Sequence, residues 1–270
     1  MPGIRAVAAG GAHQREGRGM KQTRLLMGMP ITIEVVEATV PAGIFDRVFR
    51  YFRSVDQTFS TYKPSSEISR INNHEITIAQ ASQDMRMIFA LAEQTRQETN
   101  GYFDIARDGV YDPSGVVKGW AIYQAAQIMR LAGCRNFYIE AGGDIQAVGK
   151  NSQSQPWRVG IRNPFNMHQI VKVLAVCNRG VATSGTSILG QHIYNPKTGG
   201  PLVTDIVSVT VSGPNIYEAD RFATAAFAIG AEGIRFIERL EGFEGYMIDR
   251  HGQATFTSGF ARYIHNDQTC

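Results

Sequence analysis

An aspartate and a threonine four residues apart form the sharpest chemical signal in this 270-residue chain. If residues 218–225 are helical, Asp220 and Thr224 share one face, because side chains four positions apart stack along a helix. A carboxylate and a hydroxyl are hard oxygen donors of the kind that Mg²⁺ prefers. The small and apolar neighbours indicate a buried helix, in which an unpaired acid is costly. The spacing therefore predicts a magnesium site, with a solvated helix face as the alternative.

The segment 112–120, Asp-Pro-Ser-Gly-Val-Val-Lys-Gly-Trp, carries a second group of candidates. Its two glycines permit close approach of the backbone to a ligand, and the ammonium group of Lys118 suits a phosphate. Its main-chain carbonyls would complete a metal shell. Because residues 102–119 show little periodicity, a long functional loop is predicted there. The alternative is an ordinary glycine-bearing loop that leaves Lys118 in solvent.

Residues 192–199, His-Ile-Tyr-Asn-Pro-Lys-Thr-Gly, form a predicted turn that begins with a histidine. His192 is placed there for proton transfer near neutral pH, or else is a structural histidine. The preceding hydroxyl-rich residues 183–187 would offer an anion hydroxyl and N–H groups, or would form a flexible surface loop. Asp144, which follows two glycines after a predicted strand, would bond a ribose hydroxyl or cap a turn.

The elements that must position these residues mix helices and strands without a βαβ rhythm, which predicts an α+β fold. Apolar spacing of three and four residues predicts helices at 44–55, 84–99, 120–132, 217–229 and 232–240. Alternating and β-branched stretches predict strands at 31–36, 137–140, 157–162, 171–177, 207–212, 246–248 and 254–257. No internal repeat, Walker A loop or G-x-G-x-x-G dinucleotide fingerprint is present.

Composition excludes several classes of protein. An apolar content of 43% supports a real core, and a net charge of +3 without long basic runs argues against nucleic acid as a partner. Three widely spaced cysteines without a CxxC pair favour incidental thiols over a zinc site or a disulfide scaffold. No apolar run reaches the ~20 residues of a membrane span. Residues 1–20 are predicted to be a disordered leader or tag, and residues 21–270 a single domain.

Taken together and in order, these segments resemble the ApbE family, the FAD:protein FMN transferases. The resemblance extends from residue 25 to about residue 260 and is carried by eight ordered stretches. They are residues 27–29, 60–62 with 66–72, 101–104, 112–120, 142–144, 183–185, 192–199 and 220–224. It implies two interleaved α/β lobes with a flavin and metal cleft between them.

The resemblance also implies an activity and a set of residues. The family transfers FMN from FAD to a threonine hydroxyl of an acceptor flavoprotein in a Mg²⁺-dependent reaction that releases AMP. Carried over by position, the metal shell comprises Asp220, Thr224 and the main-chain carbonyl of Val117, and the catalytic candidates are His192 and Lys118. The implied FAD site comprises Met27, Tyr62, Tyr102, Phe103, Asp104, Ser114, Trp120 and Tyr194.

The chain departs from the family pattern at Asn195, where the family usually has aspartate, and at Met29, where it commonly has threonine. Two alternatives therefore stay open: an FAD pyrophosphatase giving FMN and AMP, and a non-catalytic FAD-binding protein. Typical members are exported lipoproteins, whereas this sequence shows neither a signal peptide nor a lipid-anchor cysteine, which predicts a cytoplasmic location. An acceptor with a Ser/Asp-Gly-x-Thr-type motif would discriminate the transferase from its alternatives.

Overall fold

The computed structural model describes residues 5–6, 19–37, 39–186, 196–197 and 204–264. Its strands are β1 (Arg5–Ala6), β2 (Met20–Leu26), β3 (Met29–Val35), β4 (Ala106–Arg107), β5 (Val110–Tyr111), β6 (Phe137–Ala141), β7 (Asp144–Val148), β8 (Trp157–Asn163), β9 (Asn166–Val176), β10 (Gly180–Gly185), β11 (Ile206–Gly213), β12 (Glu244–Asp249) and β13 (Ala254–Phe256). Its α-helices are α1 (Ile44–Phe59), α2 (Glu67–Asn72), α3 (Gln83–Glu98), α4 (Ser114–Leu131), α5 (Ile216–Ile229), α6 (Gly233–Glu238) and α7 (Ala261–Ile264). Helices and antiparallel sheets thus combine as the predicted α+β class requires, and that prediction is confirmed.

The centre of the fold is an eight-stranded antiparallel sheet in the order β13-β12-β11-β10-β7-β6-β3-β2. Successive side chains of each strand point to opposite faces, so the sheet can support a core on either side. Helices α1, α4 and α5 cover one face. The small sheet β1-β8-β9 and helix α7 lie on the other.

The helices of the first face form where the apolar spacing predicted them. Helix α1 buries Val48, Phe49 and Phe52 completely, and it begins after Gly43, whose left-handed φ of 72° turns the chain into the helix. Helix α3 ends at Glu98, one residue before its predicted end. Helix α5 begins after Asn215, whose side chain caps the first turn, and it ends at the predicted residue, Ile229.

The predicted long loop at 102–119 is wrong in its second half. Residues 106–111 form the short hairpin β4–β5, and helix α4 already begins at Ser114. The Asp112 side chain accepts a hydrogen bond from the Ser114 N–H, and the Pro113 carbonyl accepts from Val116 and Val117. These bonds start the helix across two glycines that, by propensity alone, favour a loop.

In its described part, the hydroxyl-rich segment that begins at Thr183 is a strand and not a surface loop. Thr183 and Ser184 belong to β10, an inner strand between β7 and β11. The hydroxyl of Thr183 lies 2.8 Å from that of Thr210 on β11, so the two hydroxyl groups hydrogen-bond to each other inside the sheet.

The structure also bears on the predicted leader, the cysteines and the absence of a membrane span. The predicted leader, residues 1–20, lies mostly outside the described residues. Cys134 is a buried free thiol as expected, whereas Cys177 is disulfide-bonded, so the expectation of incidental thiols was wrong for it. Among the described helices, none has the length and apolar character needed to cross a membrane.

Candidate functional site

The site is organised where helix α5 crosses helix α4. The backbone N–H of Gly119 donates a 2.9 Å hydrogen bond to Oδ2 of Asp220. A methyl group at position 119 would lie 2.7 Å from the Asp220 Cβ and 2.9 Å from the Ile216 carbonyl oxygen. Only glycine permits this approach, and the helix can therefore present a main-chain donor directly to a buried acid.

Lys118 lies between two buried carboxylates. Its Nζ is 2.7 Å from Oδ2 of Asp144 and 3.5 Å from Oδ1 of Asp220, and the two aspartates are 1% and 3% exposed. The three groups form the acid–lysine cluster. When all are ionised, the cluster carries one negative charge in excess, so it favours a cation over a second anion.

Strand β7 supplies Asp144 and also fixes the start of helix α5. The N–H of Thr183 donates to Oδ1 of Asp144 at 3.1 Å, just beyond the last paired residues of β7 and β10. Two residues along the same face, the buried Gln146 side chain accepts a 2.9 Å hydrogen bond from the N–H of Ile216. One strand therefore sets the position of the first acid directly and of the second through its helix.

A pair of hydroxyl groups lies beside Asp220. The Thr224 hydroxyl donates to the Asp220 carbonyl at 3.1 Å and lies 3.4 Å from the hydroxyl of Ser184 on β10. Asp220 and Thr224 both belong to helix α5, as the sequence predicted, and both face the same cavity.

The protonation of the cluster follows from burial and mutual charge. Burial raises the pKa of Asp220 to about 7; the Lys118 ammonium opposes this rise and the Asp144 carboxylate adds to it. Burial acts to lower the pKa of Lys118, but attraction to Asp144 and Asp220 outweighs it, and the pKa lies above its ordinary value. Lys118 therefore remains charged at neutral pH, while Asp220 needs further positive charge to be fully ionised.

Two members of the cluster, Lys118 and Asp220, line a cavity of about 210 Å³. Val117, Lys118, Asp220 and Thr224 belong to its lining, together with the predicted flavin contacts Met27, Tyr62 and Ser114. The remaining described lining residues are Met29, Val55, Asp56, Phe59, Ser60, Thr61, Asp112, Gly115 and Ser184. The structure thus brings together every described member of the predicted metal shell and three members of the predicted FAD site.

Two of the predicted flavin contacts instead belong to the core. Trp120 is 5% exposed and packs edge-on against Phe59, and Phe103 is 3% exposed. The Phe103 ring lies behind Gly115, within 3.1 Å of the point where a side chain at that glycine would begin. In this structure both rings support the cavity wall from behind.

The next two predicted contacts lie in the turns before helix α4. The Lys197 ammonium lies 4.2 Å from the centre of the Tyr102 ring. The Asp104 side chain accepts a hydrogen bond from the N–H of Ala106. The last predicted FAD contact, Tyr194, and the proposed proton shuttle His192 lie outside the described residues. Their roles stay predictions.

The donors fit a hard divalent cation. Asp220 and Thr224 offer oxygens on one helix face, and Ser184 adds a third oxygen. Oδ2 of Asp144 is buried and, in the described part of the chain, has no well-aligned hydrogen bond despite its short contact with Lys118. Residues 19–37, 39–186, 196–197 and 204–264 contain no group of three His, Cys, Asp or Glu side chains that suits a metal. A donor set of the Asp220 carboxylate, neighbouring hydroxyls and main-chain carbonyls suits Mg²⁺ better than zinc.

Sequence reasoning underestimated Asp144 and did not single out Ser184. The pair Gly142-Gly143 before Asp144 did mark a close approach, because Gly142 has a φ of 58° and lies against Met29. Nothing local indicated that Asp144 pairs with Lys118, since that contact joins a strand to a helix 26 positions earlier in the chain.

Fold and site together define an α+β protein with an acidic cavity between its helices and the face of an antiparallel sheet. The family model described as the ApbE family matches residues 27–112 and 106–247, and the chain belongs to the ApbE family.

Similar proteins share one name. The FAD:protein FMN transferase of Salmonella typhimurium is 32% identical over 151 residues, which cover 53% of this chain and 43% of that protein. The protein of the same name from Haemophilus influenzae is 25% identical over 262 residues, 73% of this chain and 76% of the relative. The chain thus spans less than half the length of the Salmonella relative.

Solved structures share the fold over almost their whole length. The flavin transferase ApbE from Vibrio cholerae superposes with a TM-score of 0.80 at 21% identity. The superposition covers 91% of this chain and 99% of the Vibrio cholerae chain. The Thermotoga maritima apbe protein has a TM-score of 0.82 at 20% identity, with coverage of 92% and 99%. At these identities the likeness establishes the fold.

Proposed function

We propose that this protein transfers FMN from FAD to a threonine hydroxyl of an acceptor protein and releases AMP, with Mg²⁺ as cofactor. The observation that carries the proposal is that the predicted metal residues Val117, Asp220 and Thr224 line one cavity together with Lys118 of the acid–lysine cluster. The names of the Salmonella and Haemophilus relatives support the transfer of FMN from FAD to a protein. The described walls enclose about 210 Å³, less than the roughly 300–1,000 Å³ of usual ligand sites, and so surround only part of a dinucleotide.

Asp220, Thr224 and the main-chain carbonyl of Val117 would hold the magnesium ion. When bound, the ion supplies positive charge that offsets the charge developing on the pyrophosphate. The N–H of Gly119 fixes the Asp220 carboxylate, and a second positive charge favours its ionised form because burial alone raises its pKa. The hydrogen bond orients the carboxylate before substrate arrives, and such preorganisation is what electrostatic catalysis requires.

Lys118 provides a permanent positive charge next to the reacting phosphates. Asp144 holds its ammonium at 2.7 Å, so the side chain is oriented without substrate. Tyr62, which is 90% exposed at the cavity, is available to stack on a flavin or adenine ring. We assign His192 the proton transfer from the incoming threonine, and Asn195 supplies no carboxylate to assist it.

The direct test incubates purified protein with FAD and Mg²⁺, with and without a peptide bearing a Ser/Asp-Gly-x-Thr-type motif. Intact-mass measurement and nucleotide analysis then follow both products. We expect the peptide to gain one FMN phosphoester while AMP appears in equal amount.

The controls separate the remaining possibilities. A peptide with valine in place of the target threonine should gain no mass, and EDTA should stop AMP release. AMP and free FMN in the absence of peptide would contradict the transferase and indicate a pyrophosphatase. Intact FAD under all conditions, with FAD bound, would contradict catalysis altogether.

A further inference from the structure

Helix α1 carries three arginines in one row on its outer surface. Arg47, Arg50 and Arg53 are all exposed and follow one another at intervals of three residues. Side chains three positions apart on a helix are neighbours, with Cβ atoms roughly 5–6 Å apart. The three guanidinium groups, here called the arginine row, therefore form one basic strip.

The acids of the same helix do not neutralise this strip. Asp46 pairs with Arg24 of strand β2 at 2.6 Å, and Asp56 pairs with Lys63 beyond the end of the helix. In the ranges that the structure describes, no member of the arginine row forms an ion pair with an acid. Three positive charges are thus left facing solvent on one side of one helix.

The arginine row leads to the cavity. Its spacing of three residues continues from Arg53 to Asp56, and Asp56 belongs to the lining of the cavity. At 1.5 Å of rise per residue, Arg53 lies about 4.5 Å and Arg47 about 13.5 Å from Asp56 along the helix axis, and each step of three residues also turns about 60° around that axis. A macromolecule bound on the row would therefore reach the cavity with its nearest segment.

The charge of the cavity is opposite to that of the row. Asp56, Asp112 and Asp220 belong to the lining. The ammonium of Lys118, which also lines the cavity, is engaged by Asp220 and by the buried Asp144 behind it. An acidic protein surface is attracted to the row and repelled from the cavity, so it has one favourable orientation. An uncharged segment beside that surface would then face the cavity.

We propose that the arginine row is the docking surface for an acidic acceptor protein, which binds helix α1 and presents its uncharged threonine segment to the cavity. The inference rests on the proposed transferase function and identifies the charge of its second substrate. Rim charges of this kind act mainly on the association rate and on its salt dependence, because they stay hydrated in the complex.

An anionic lipid surface is the competing occupant, and the helix argues against it. Helices that lie on membranes expose apolar side chains that insert below the headgroups. The large apolar residues of α1 are buried in the core, among them Phe45, Val48, Phe49, Phe52 and Val55. Charge alone, over a strip of about 9 Å, matches a local acidic patch better than a membrane.

The test compares two acceptor peptides that share the threonine motif, one flanked by glutamates and one by glutamines. For the wild-type protein we expect a lower KM and tighter binding for the acidic peptide, with the difference disappearing at high salt. The triple variant R47E/R50E/R53E should raise the KM for the acidic peptide on the order of tenfold. Its kcat and its affinity for FAD should not change.

The matched control reverses three exposed arginines elsewhere, R130E/R158E/R239E, and so changes the net charge equally. It should leave the KM for the acidic peptide near the wild-type value. Equal effects of the two triple variants, or no preference for the acidic peptide, would overturn the docking surface.

Binding is measured separately from transfer, by fluorescence anisotropy of labelled peptides. Loss of binding in R47E/R50E/R53E, with no FMN transfer by any protein, would support the surface and contradict only the proposed reaction. Vesicles of phosphatidylserine and of phosphatidylcholine complete the set. If the anionic vesicles bind the wild-type protein but not R47E/R50E/R53E, and neither peptide is preferred, the arginine row binds a membrane and the proposed protein partner is wrong.

Discussion

The two faces of the central sheet are packed in contrasting ways. On the face covered by α7 and the small sheet, strands β7 and β10 bury the apolar side chains Ile145, Ala147 and Val181 against Val159 and its neighbours in the small sheet. On the helix-covered face, the same strands place the polar side chains Asp144 and Ser184 beneath α4 and α5. Because strand side chains alternate, one strand contributes to both faces without compromise.

The two faces also differ in how their buried polar side chains are paired. On the helix face, buried polar side chains fix both the backbone and a charge: Gln146 accepts the Ile216 N–H at the start of α5, and Asp144 accepts the Thr183 N–H and contacts the Lys118 ammonium. On the opposite face the polar contacts include the hydroxyl pair of Thr183 and Thr210 and the bond from the Trp157 indole to the Val148 carbonyl, neither of which involves a charged group. We therefore expect mutations on the two faces to separate activity from stability.

The largest effect is expected from Asp220→Ala, which removes the proposed metal ligand. Loss of metal-assisted charge stabilisation is worth several kcal/mol, so metal-dependent FAD cleavage should fall on the order of a thousandfold. Magnesium titration followed by AMP release measures it. Turnover at the wild-type level would remove Asp220 from the metal shell, and with it the main distinction between the faces.

Asp144→Asn should reduce turnover roughly ten- to a hundredfold, the usual range for residues that orient a metal site indirectly. The amide can still accept the Thr183 N–H, but it no longer anchors the Lys118 ammonium by charge. The matched control is Glu34→Gln, which removes an acid from the partly exposed pair with Lys21. Equal activity in both variants would show that the position of Lys118 is unimportant.

Gly119→Ala should affect both properties. Helix propensity favours alanine by about 1 kcal/mol, but the new methyl group meets Asp220 and a backbone carbonyl below 3 Å. We expect a net loss of roughly 1–3 kcal/mol in unfolding free energy, together with weaker magnesium binding. Denaturant unfolding and calorimetry measure the two. Gly115→Ala, which meets only a ring edge at 3.1 Å, should lose less.

Val159→Ala sharpens the contrast from the opposite face. Its cavity should cost about 1–3 kcal/mol of unfolding free energy, because the side chain is fully buried. Per folded molecule, kcat and KM for FAD should stay unchanged, as measured well below the midpoint of thermal unfolding. A change in kcat would show that the two cores are mechanically coupled.

Much of the fold and part of the site were accessible from the sequence. Periodicity located α1, α3 and α5, and the four-residue spacing placed Asp220 and Thr224 on one helix face. Periodicity placed the start of α4 too late in the chain, because glycines needed for close packing look the same in the sequence as glycines in a loop.

The rest depended on contacts between distant parts of the chain. Strand β10 contains buried hydroxyls that are satisfied only by neighbouring strands and by α5, so its sequence looks like a surface segment. The partnership of Asp144 with Lys118 likewise follows from tertiary packing, which local propensity does not encode.

The contact between Gly119 and Asp220 also constrains how this protein can change over time. The donor to the acid is a main-chain N–H, which among substitutions only proline can delete. Enlarging residue 119, however, displaces the very residue whose carboxylate it binds. The absence of a side chain on one helix and the acid on the other therefore have to be inherited as a unit, and a lineage that loses either has little reason to keep the other.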